Sequence, residues 1–334
     1  MLKINEIYQG DAREFLPKIE SDSISCSLWS PPYHLGKEYE KGISYDEWIS
    51  LLQEVIGLHY TILKPGGFLV INIADILCFQ DETMPRIQAM NISRHKVSIT
   101  REQVLEAKSS NPTFNRNQLA ALLGCSEQTV DRRLNGNNIR GGKHNTQTRV
   151  HLVGNIIEEA AAAAKLYLYD RRIWMKDPAW ENSKWSTLSY RAVDEFEYLY
   201  FFWKPGTTIV DRSKLTSEEW SSWGSRAVWQ IPSVRANNNH EAKFPLELPR
   251  RIIKLLTFPG DTVLDCFMGS GTTAVAAIRE GRKYIGIEKE PKYVALARET
   301  CEKERQKWNS PNGQKNNKAR YATNGHQPTL LDKI

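Results

Sequence analysis

Cysteine is scarce in this sequence and scattered where it occurs. Cys26, Cys78, Cys125, Cys266 and Cys301 form no CxxC pair, and no histidine stands near them at ligand spacing. That excludes a zinc ribbon or a disulfide framework and predicts reduced, partly buried thiols. Long apolar runs are missing too, so no segment reads as a membrane span. The N-terminal MLKINEIYQGD has no apolar core of the signal-peptide kind. A cytoplasmic protein with no membrane contact is expected. Internal repeats are absent. What remains is ordinary for a globular chain: 40% hydrophobic and 25% charged over 334 residues. That length predicts one large domain with an insertion, or two domains.

Charge is nearly balanced, with 45 Lys and Arg against 39 Asp and Glu. The imbalance is local. From Arg86 to His151 there are eleven basic and four acidic residues, a local +7, which leaves −1 for the rest of the chain. A basic stretch confined to one segment suggests contact with a polyanion.

The N-terminal part alternates strand and helix patterns. Strands are expected at Ile4–Tyr8, Ile24–Trp29 and Phe68–Ala74, and helices at Ala12–Ile19 and Asp46–Leu63. Lys64-Pro65-Gly66-Gly67 stops the second helix. From Cys78 to about Val150 the chain is polar, basic and helical. A helix around the alanine run of GNIIEEAAAAAKLYLYD follows. Aromatic strands are then expected at Arg171–Lys176 and Glu197–Trp203. Seven of the ten tryptophans fall between Trp174 and Trp229. Two readings stand equally there, a stacking surface for bases or anchors for long loops. The strand–helix rhythm returns with a helix at Pro249–Leu256, a strand at Thr262–Asp265 and a helix at Gly271–Glu280. A strand ending at Glu288 and a helix at Pro291–Glu304 complete it. The Asn-, Lys- and Gln-rich stretch from Trp308 to Gly325 reads as a disordered tail. This order predicts an α/β fold with a parallel sheet covered by helices.

Two motifs carry chemistry. VLDCFMGSGTTAVAAI is a strand, a glycine turn and a helix start. Its Gly269-Ser270-Gly271 lets the backbone approach a ligand. Glu288, at the end of the next strand, is placed for two ribose hydroxyls. Asp265 stands just before the glycines, where an acid repels a pyrophosphate but suits an ammonium. About sixty residues follow the loop, too few to finish a dinucleotide-binding domain. A ligand with an amino-acid part and an adenosine part fits, and S-adenosylmethionine is one. The N-terminal strands must then complete the sheet, with Asp11 beside Glu288 and near the adenine. The second motif is SLWSPPYHLG, Ser27 to Gly36: two prolines after an apolar strand and before a tyrosine. Alone it is only a stiff turn.

Together the motifs resemble an amino-group DNA methyltransferase of the β class, in which the target-amine half comes first and the cofactor half last. The likeness covers GDAREFL, SLWSPPY, LKPGGFLVINIAD, EYLYFFWKP, HEAKFPLELPRRII, VLDCFMGSGTT and YIGIEKEP. It implies a Rossmann-like S-adenosylmethionine-dependent methyltransferase sheet in permuted order. By the same carry-over, Phe244 and Pro245 cover the methionine part of the cofactor. Asp265, Phe267, Gly269, Ser270, Gly271, Thr272 and Thr273 line it, with Asp11 and Glu288 at the adenosine. Ser30, Pro31, Pro32 and Tyr33 are the implied catalytic residues. Ser30 and the Pro31 carbonyl accept the amine N–H groups, the prolines hold them rigid, and Tyr33 stacks on an extruded base. No metal is needed. No Pro-Cys pair exists, which argues against cysteine-based C5 methylation. Serine before Pro-Pro-Tyr resembles the N4-cytosine members; the alternative is N6-adenine.

Within the basic segment, NRNQLAALLGCSEQTVDRRLNG has the spacing of a helix-turn-helix. The expected packing residues are Leu119, Leu122, Leu123, Val130 and Leu134, with a turn at Gly124. Ser126 is the N-cap of the second helix and Thr100 of a preceding one. Ser126, Gln128, Thr129, Arg132 and Arg133 are the expected DNA contacts. The plain alternative is a packing hairpin. The expected organisation is a catalytic half over 1–78, this insertion over 79–150 and further strands with target-recognition loops over 151–239. The cofactor half takes 240–305 and a flexible tail 306–334. The function implied is a sequence-specific DNA methyltransferase acting on cytosine N4 in double-stranded DNA. It would be the modification half of a restriction–modification pair, with a separate cognate endonuclease, as monomer or homodimer. A rival of another class is an inactive DNA-binding regulator.

Overall fold

The structure is a computed structural model that describes residues 1–33, 44–75, 86–91, 98–135, 142–147, 151–178, 192, 194–234 and 244–311. Contacts divide the chain into two compact units. One comprises Met1–Leu77, Val150–Ala179 and Asp194–Ile334, and the other Cys78–Arg149 and Trp180–Val193.

The elements run β1 (Glu6–Gln9), α1 (Ala12–Phe15), β2 (Ile24–Trp29), α2 (Tyr45–Ile62), β3 (Leu63–Ile73) and β4 (Arg86–Asn91). Next come α3 (Arg101–Ser110), α4 (Arg116–Leu122), α5 (Glu127–Asn135), β5 (Gly142–Gln147), α6 (Val153–Ala163), β6 (Tyr167–Met175) and β7 (Phe196–Trp203). The chain continues through α7 (Ser217–Glu219), β8 (Val228–Gln230), α8 (Glu247–Leu256), β9 (Thr262–Asp265), α9 (Thr272–Arg279), β10 (Lys283–Glu288) and α10 (Pro291–Asn309).

The larger unit is built on an eight-stranded sheet in the order β1-β10-β9-β2-β3-β7-β6-β8. The strands β1 to β3 are parallel through β10, β9 and β2, and β7 enters antiparallel between β3 and β6. All six residues of β2 are buried, as a central strand covered on both faces requires. Parallel neighbours need a crossover: α2 links β2 to β3, and α9 links β9 to β10. Ser44 and Glu47 close a capping box on α2, whose Trp48, Leu52, Val55, Ile56, His59 and Ile62 form its buried stripe. One core cluster fills the β2–β3–β7 face under α8. Another joins α9, α10 and β10. The α/β fold with a permuted parallel sheet stands as expected. The N-terminal strand β1 lies at the sheet edge beyond the last strand, β10.

Several expected boundaries move. β1 starts at Glu6 because Asn5 sits at φ +62°, outside the strand region, where its side chain accepts from Tyr284 N at 3.2 Å. α10 runs past Glu304 to Asn309, since Trp308 packs against the α9–α10 core. Residues 312–334, most of the expected tail, lie outside the described residues. Of the clustered tryptophans, Trp174, Trp223 and Trp229 are buried, which fits the anchoring reading for these three. Trp180 and Trp185 lie outside the described residues.

The smaller unit holds α3, α4 and α5 around Val104, Leu119, Ala120 and Val130. Thr100 and Asn115 each close a capping box. The turn at Gly124 has φ +62°. Leu122, expected in this core, is 55% exposed, because Leu119 and Leu123 take the inward face of the short helix. The antiparallel pair β4–β5 in the same unit was not expected: β5 has no apolar side chain, and the two strands are about fifty residues apart in sequence, so no turn signal joins them.

Candidate active site

The carboxyl ends of β1, β10, β9 and β2 bring most of the predicted cofactor and catalytic residues to one end of the sheet. Gln9 pairs with Glu288, so Asp11 and Glu288 leave adjacent strands side by side. Glu288 accepts Gly269 N at 2.7 Å with one oxygen and Glu290 N at 2.9 Å with the other. That holds the glycine turn against β10 and leaves further lone pairs on each oxygen. Burial pushes the Glu288 carboxyl up from its ordinary range. Asp11 caps α1 and takes a bidentate contact from Arg13, at 2.9 Å on each oxygen. That contact holds its carboxyl below the usual value.

The turn itself depends on its glycines. Gly269 has φ +53° and Gly271 φ +89°. A Cβ on Gly271 would stand 3.1 Å from the Ala297 backbone of α10. Only glycine combines that φ with that approach. α9 begins at Thr272 directly after it, and Ser270, Thr272 and Thr273 are all buried. Asp265 is 1% exposed. It accepts Phe267 N at 3.0 Å and the Thr273 hydroxyl at 2.6 Å. Burial, with a smaller push from the Glu288 charge, raises its pKa to about 7. Phe244 is half-buried against the β2–β3–β7 core, and the Pro245 carbonyl accepts Leu248 N at the start of α8.

Ser30-Pro31-Pro32-Tyr33 leaves the carboxyl end of β2, next to β9. Trp29 meets Phe267 edge-on with centroids 5.4 Å apart, so the two motifs adjoin. The turn is braced from two sides. Trp48 Nε1 donates to the Pro32 carbonyl at 2.6 Å. Ser30 donates to the Tyr33 hydroxyl at 3.0 Å, and Tyr33 donates to Glu197 Oε2 at 2.7 Å. Burial first, then the Glu197 charge, lifts the Tyr33 phenol well above its ordinary pKa and keeps it protonated. Glu197 in turn takes Lys176 Nζ at 2.8 Å, and Lys176 also reaches Asp194 at 3.3 Å. Burial opposes the Lys176 charge, but Glu197 and Asp194 more than offset it and raise its pKa. Below the turn, Ser27 and Trp29 both bond His59 Nε2, and burial pushes that imidazole down to about 4, so it stays neutral. Trp48, Lys176, Asp194 and Glu197 were not singled out from the sequence. The one available signal was the glutamate at the head of the aromatic run EYLYFFW.

In the smaller unit, Ser126 Oγ accepts Thr129 N at 3.2 Å and caps α5. Thr129 is buried and bonded to Ser126, whereas Gln128 is exposed. Arg133 is half-buried, and its Nε donates to the Ile99 carbonyl at 2.9 Å. Arg132, also half-buried, lies on the same short helix. Among the described residues no cluster of His, Cys, Asp and Glu has the makings of a metal site.

This arrangement offers acidic side chains and an open helix N-terminus on one strand end, with hydroxyl and carbonyl acceptors on the next. It suits a ligand with a cationic and a polyhydroxylated part beside a second reactant that donates hydrogen bonds. A family model described as DNA methylase matches residues 24–299, which spans both strand ends. The chain belongs to the DNA methylase family. Its relatives in the family include the type II methyltransferase M.BglI of Bacillus subtilis, 64% identical over 301 residues, covering 90% of this chain and 86% of the relative. A DNA modification methylase from Thermus thermophilus, solved with S-adenosyl-L-methionine, shares the fold with a TM-score of 0.57 at 24% identity, over 90% of this chain and 93% of that one. The PvuII DNA methyltransferase, cytosine-N4-specific, shares it at 0.55 and 20%, over 97% and 98%. Among the described residues no helix is long and apolar enough to cross a membrane.

Proposed function

We propose that this methylase transfers a methyl group from S-adenosylmethionine to the exocyclic N4 amine of a cytosine extruded from double-stranded DNA. The target lies within a specific sequence, and the enzyme is the modification half of a restriction–modification system. The observation that carries the reading is the junction of the two motifs: Ser30-Pro31-Pro32-Tyr33 and the glycine turn leave adjacent strands and touch through Trp29 and Phe267.

The residues present suit the cofactor. Asp265 is a buried carboxylate held near the point of ionisation, a state that a nearby cationic ammonium stabilises. Glu288 keeps lone pairs for ribose hydroxyls, and Asp11 stands beside it for the adenine. Gly269, Ser270 and Gly271 give backbone access, Thr272 and Thr273 form the opening of α9, and Phe267, Phe244 and Pro245 supply apolar cover. When bound, S-adenosylmethionine supplies a methyl group already activated on a sulfonium. The chain's own task is to present the amine. An aromatic amine is a weak nucleophile because its lone pair is delocalised into the ring. Ser30 Oγ and the Pro31 carbonyl accept its two N–H groups, which favours a tetrahedral nitrogen with its lone pair turned outward. Pro31 and Pro32 keep those acceptors fixed, so little reorganisation is needed. Tyr33, held neutral, offers its ring face to the extruded base. Orientation supplies much of the rate.

Serine before Pro-Pro-Tyr favours cytosine over adenine. Similarity to a type II methyltransferase over most of both chains supports the modification role. The helices α4 and α5, with Ser126, Gln128, Arg132 and Arg133 on a basic unit, act as a helix-turn-helix in DNA contact. Thr129 serves that contact indirectly by fixing the Ser126 cap.

The test is mass spectrometry of nucleosides from unmethylated DNA incubated with the protein and S-adenosylmethionine. N4-methylcytosine is expected, and Ser30→Ala abolishes it while cofactor binding survives. N6-methyladenine would overturn the base assignment. No methylation of DNA that the protein binds would overturn the enzyme reading.

A further inference from the structure

The Ser30 hydroxyl can serve the target amine only as an acceptor, because both amine hydrogens must be donated away for the nitrogen lone pair to be free. A hydroxyl has one proton and two lone pairs, and left alone it rotates to suit its surroundings. In this protein the rotation is constrained through a chain of three side chains. Glu197, 8% exposed at the start of β7, carries an ion pair to Lys176 on Oε1 at 2.8 Å. Its other oxygen faces the Tyr33 hydroxyl at 2.7 Å. A carboxylate only accepts, so Tyr33 must donate to it. The Tyr33 oxygen is then left as an acceptor, and Ser30, at 3.0 Å, donates to it. Each donor in the series points away from the reaction centre. The hairpin geometry holds the far end: Trp174 pairs with Glu197 in the β6–β7 ladder, and Lys176 N bonds the Glu195 carbonyl at 2.8 Å.

We propose that the Lys176–Glu197 pair is a positioning device that sets the hydrogen-bond polarity of Ser30, keeping its lone pairs toward the target amine. It acts through Tyr33 and touches no substrate. The inference rests on the proposed role of Ser30 as the amine acceptor.

Polarity, as distinct from packing, is open to test by an isosteric change. In Glu197→Gln the Lys176 ammonium, which can only donate, claims the amide oxygen. The amide NH2 then faces Tyr33 and donates to it. The phenol proton must turn back to Ser30 or to the Asn72 carbonyl, which at 3.4 Å is a poor acceptor distance. Removing the ammonium as well, in the double variant Glu197→Gln with Lys176→Met, lets the amide rotate and present its oxygen to Tyr33 again.

The experiment measures kcat, KM for DNA, cofactor affinity and melting temperature for E197Q, K176M, the double variant and Ser30→Ala. The expected result is a loss in kcat of about tenfold or more for E197Q, the worth of one well-made hydrogen bond. Cofactor affinity is unchanged, and the double variant recovers most of the lost kcat. A purely structural ion pair gives the opposite order: K176M and E197Q fall together, and the double variant is no better than either. That order overturns the proposal, as does an E197Q enzyme of full kcat. If Ser30→Ala itself keeps full kcat, the site assignment beneath the proposal falls instead. The melting temperatures separate any variant that merely fails to fold.

Discussion

The proposed cofactor role of Asp265 ties the stability of this protein to its function, with a sign that pH reveals. The carboxyl lies at the heart of the glycine turn, 1% exposed, and burial lifts its pKa from the ordinary 3.8 to about 7. A carboxyl whose pKa is higher in the folded state than in the unfolded one holds its proton more tightly when folded. Its stabilising contribution is therefore full below about 3.8 and is lost as pH rises through about 7. Across that window the change amounts to about 4 kcal/mol as an order of magnitude. Asp265→Asn removes the ionisation and keeps the size. Relative to wild type it should gain about 3 kcal/mol between about pH 5 and about pH 8. Urea unfolding of both proteins at the two pH values, without ligand, measures it. Other titrating groups cancel in the difference, and a constant offset from the altered Thr273 contact drops out of the slope. Cofactor titration completes the assay: the stabilised variant should bind S-adenosylmethionine far more weakly, and wild-type affinity should fall as pH drops below about 7. A stability difference that is flat across pH, or that runs the other way, refutes the reasoning.

Gly271→Ala should lose about 1–3 kcal/mol, because φ +89° strains an alanine and its Cβ meets the Ala297 backbone; thermal denaturation checks this, and a cofactor titration should show weaker binding. Gly66→Ala should destabilise by about 2 kcal/mol or more while leaving chemistry intact, since a Cβ there would stand 2.1 Å from the Thr207 carbonyl oxygen, far from the site; kcat per folded molecule is the control. Arg132→Ala should weaken DNA binding and lower the salt slope of affinity by about 1 if α5 contacts phosphate; an unchanged slope in a fluorescence anisotropy titration removes that residue from the interface.

The sheet was legible where periodicity and punctuation agreed. Ile24–Trp29 and Thr262–Asp265 appear with their expected bounds, because each is a short segment with apolar residues set between turn signals. The neighbouring ends of β1 and β10 followed from one requirement, that the N-terminal strands complete a sheet whose cofactor half comes last. The buried acids were harder to read. Asp265, Glu288 and Ser30 belong to short motifs, whereas Glu197 and Lys176 owe their place to the antiparallel pairing of β6 with β7, which no local pattern encodes. The same holds for β4 and the polar β5, two strands that pair across three helices. Thr129 shows the limit within a helix: beside Val130 it turns inward, and only the packed helix tells which residues of the polar stretch remain outside.

The edge position of β1 also bears on how the protein is made. Asn5 bonds Tyr284 across 279 residues of sequence, and among the described residues β1 pairs with β10 and no other strand. On a ribosome adding about 5–20 residues per second, the first strand therefore waits on the order of half a minute for the partner that receives it. Through that interval it is an unpaired edge, with its apolar Ile7 in water. Translation speed and chaperone supply, more than final stability, should govern the yield of active enzyme, and slowing elongation ahead of the last strands should lengthen the vulnerable period.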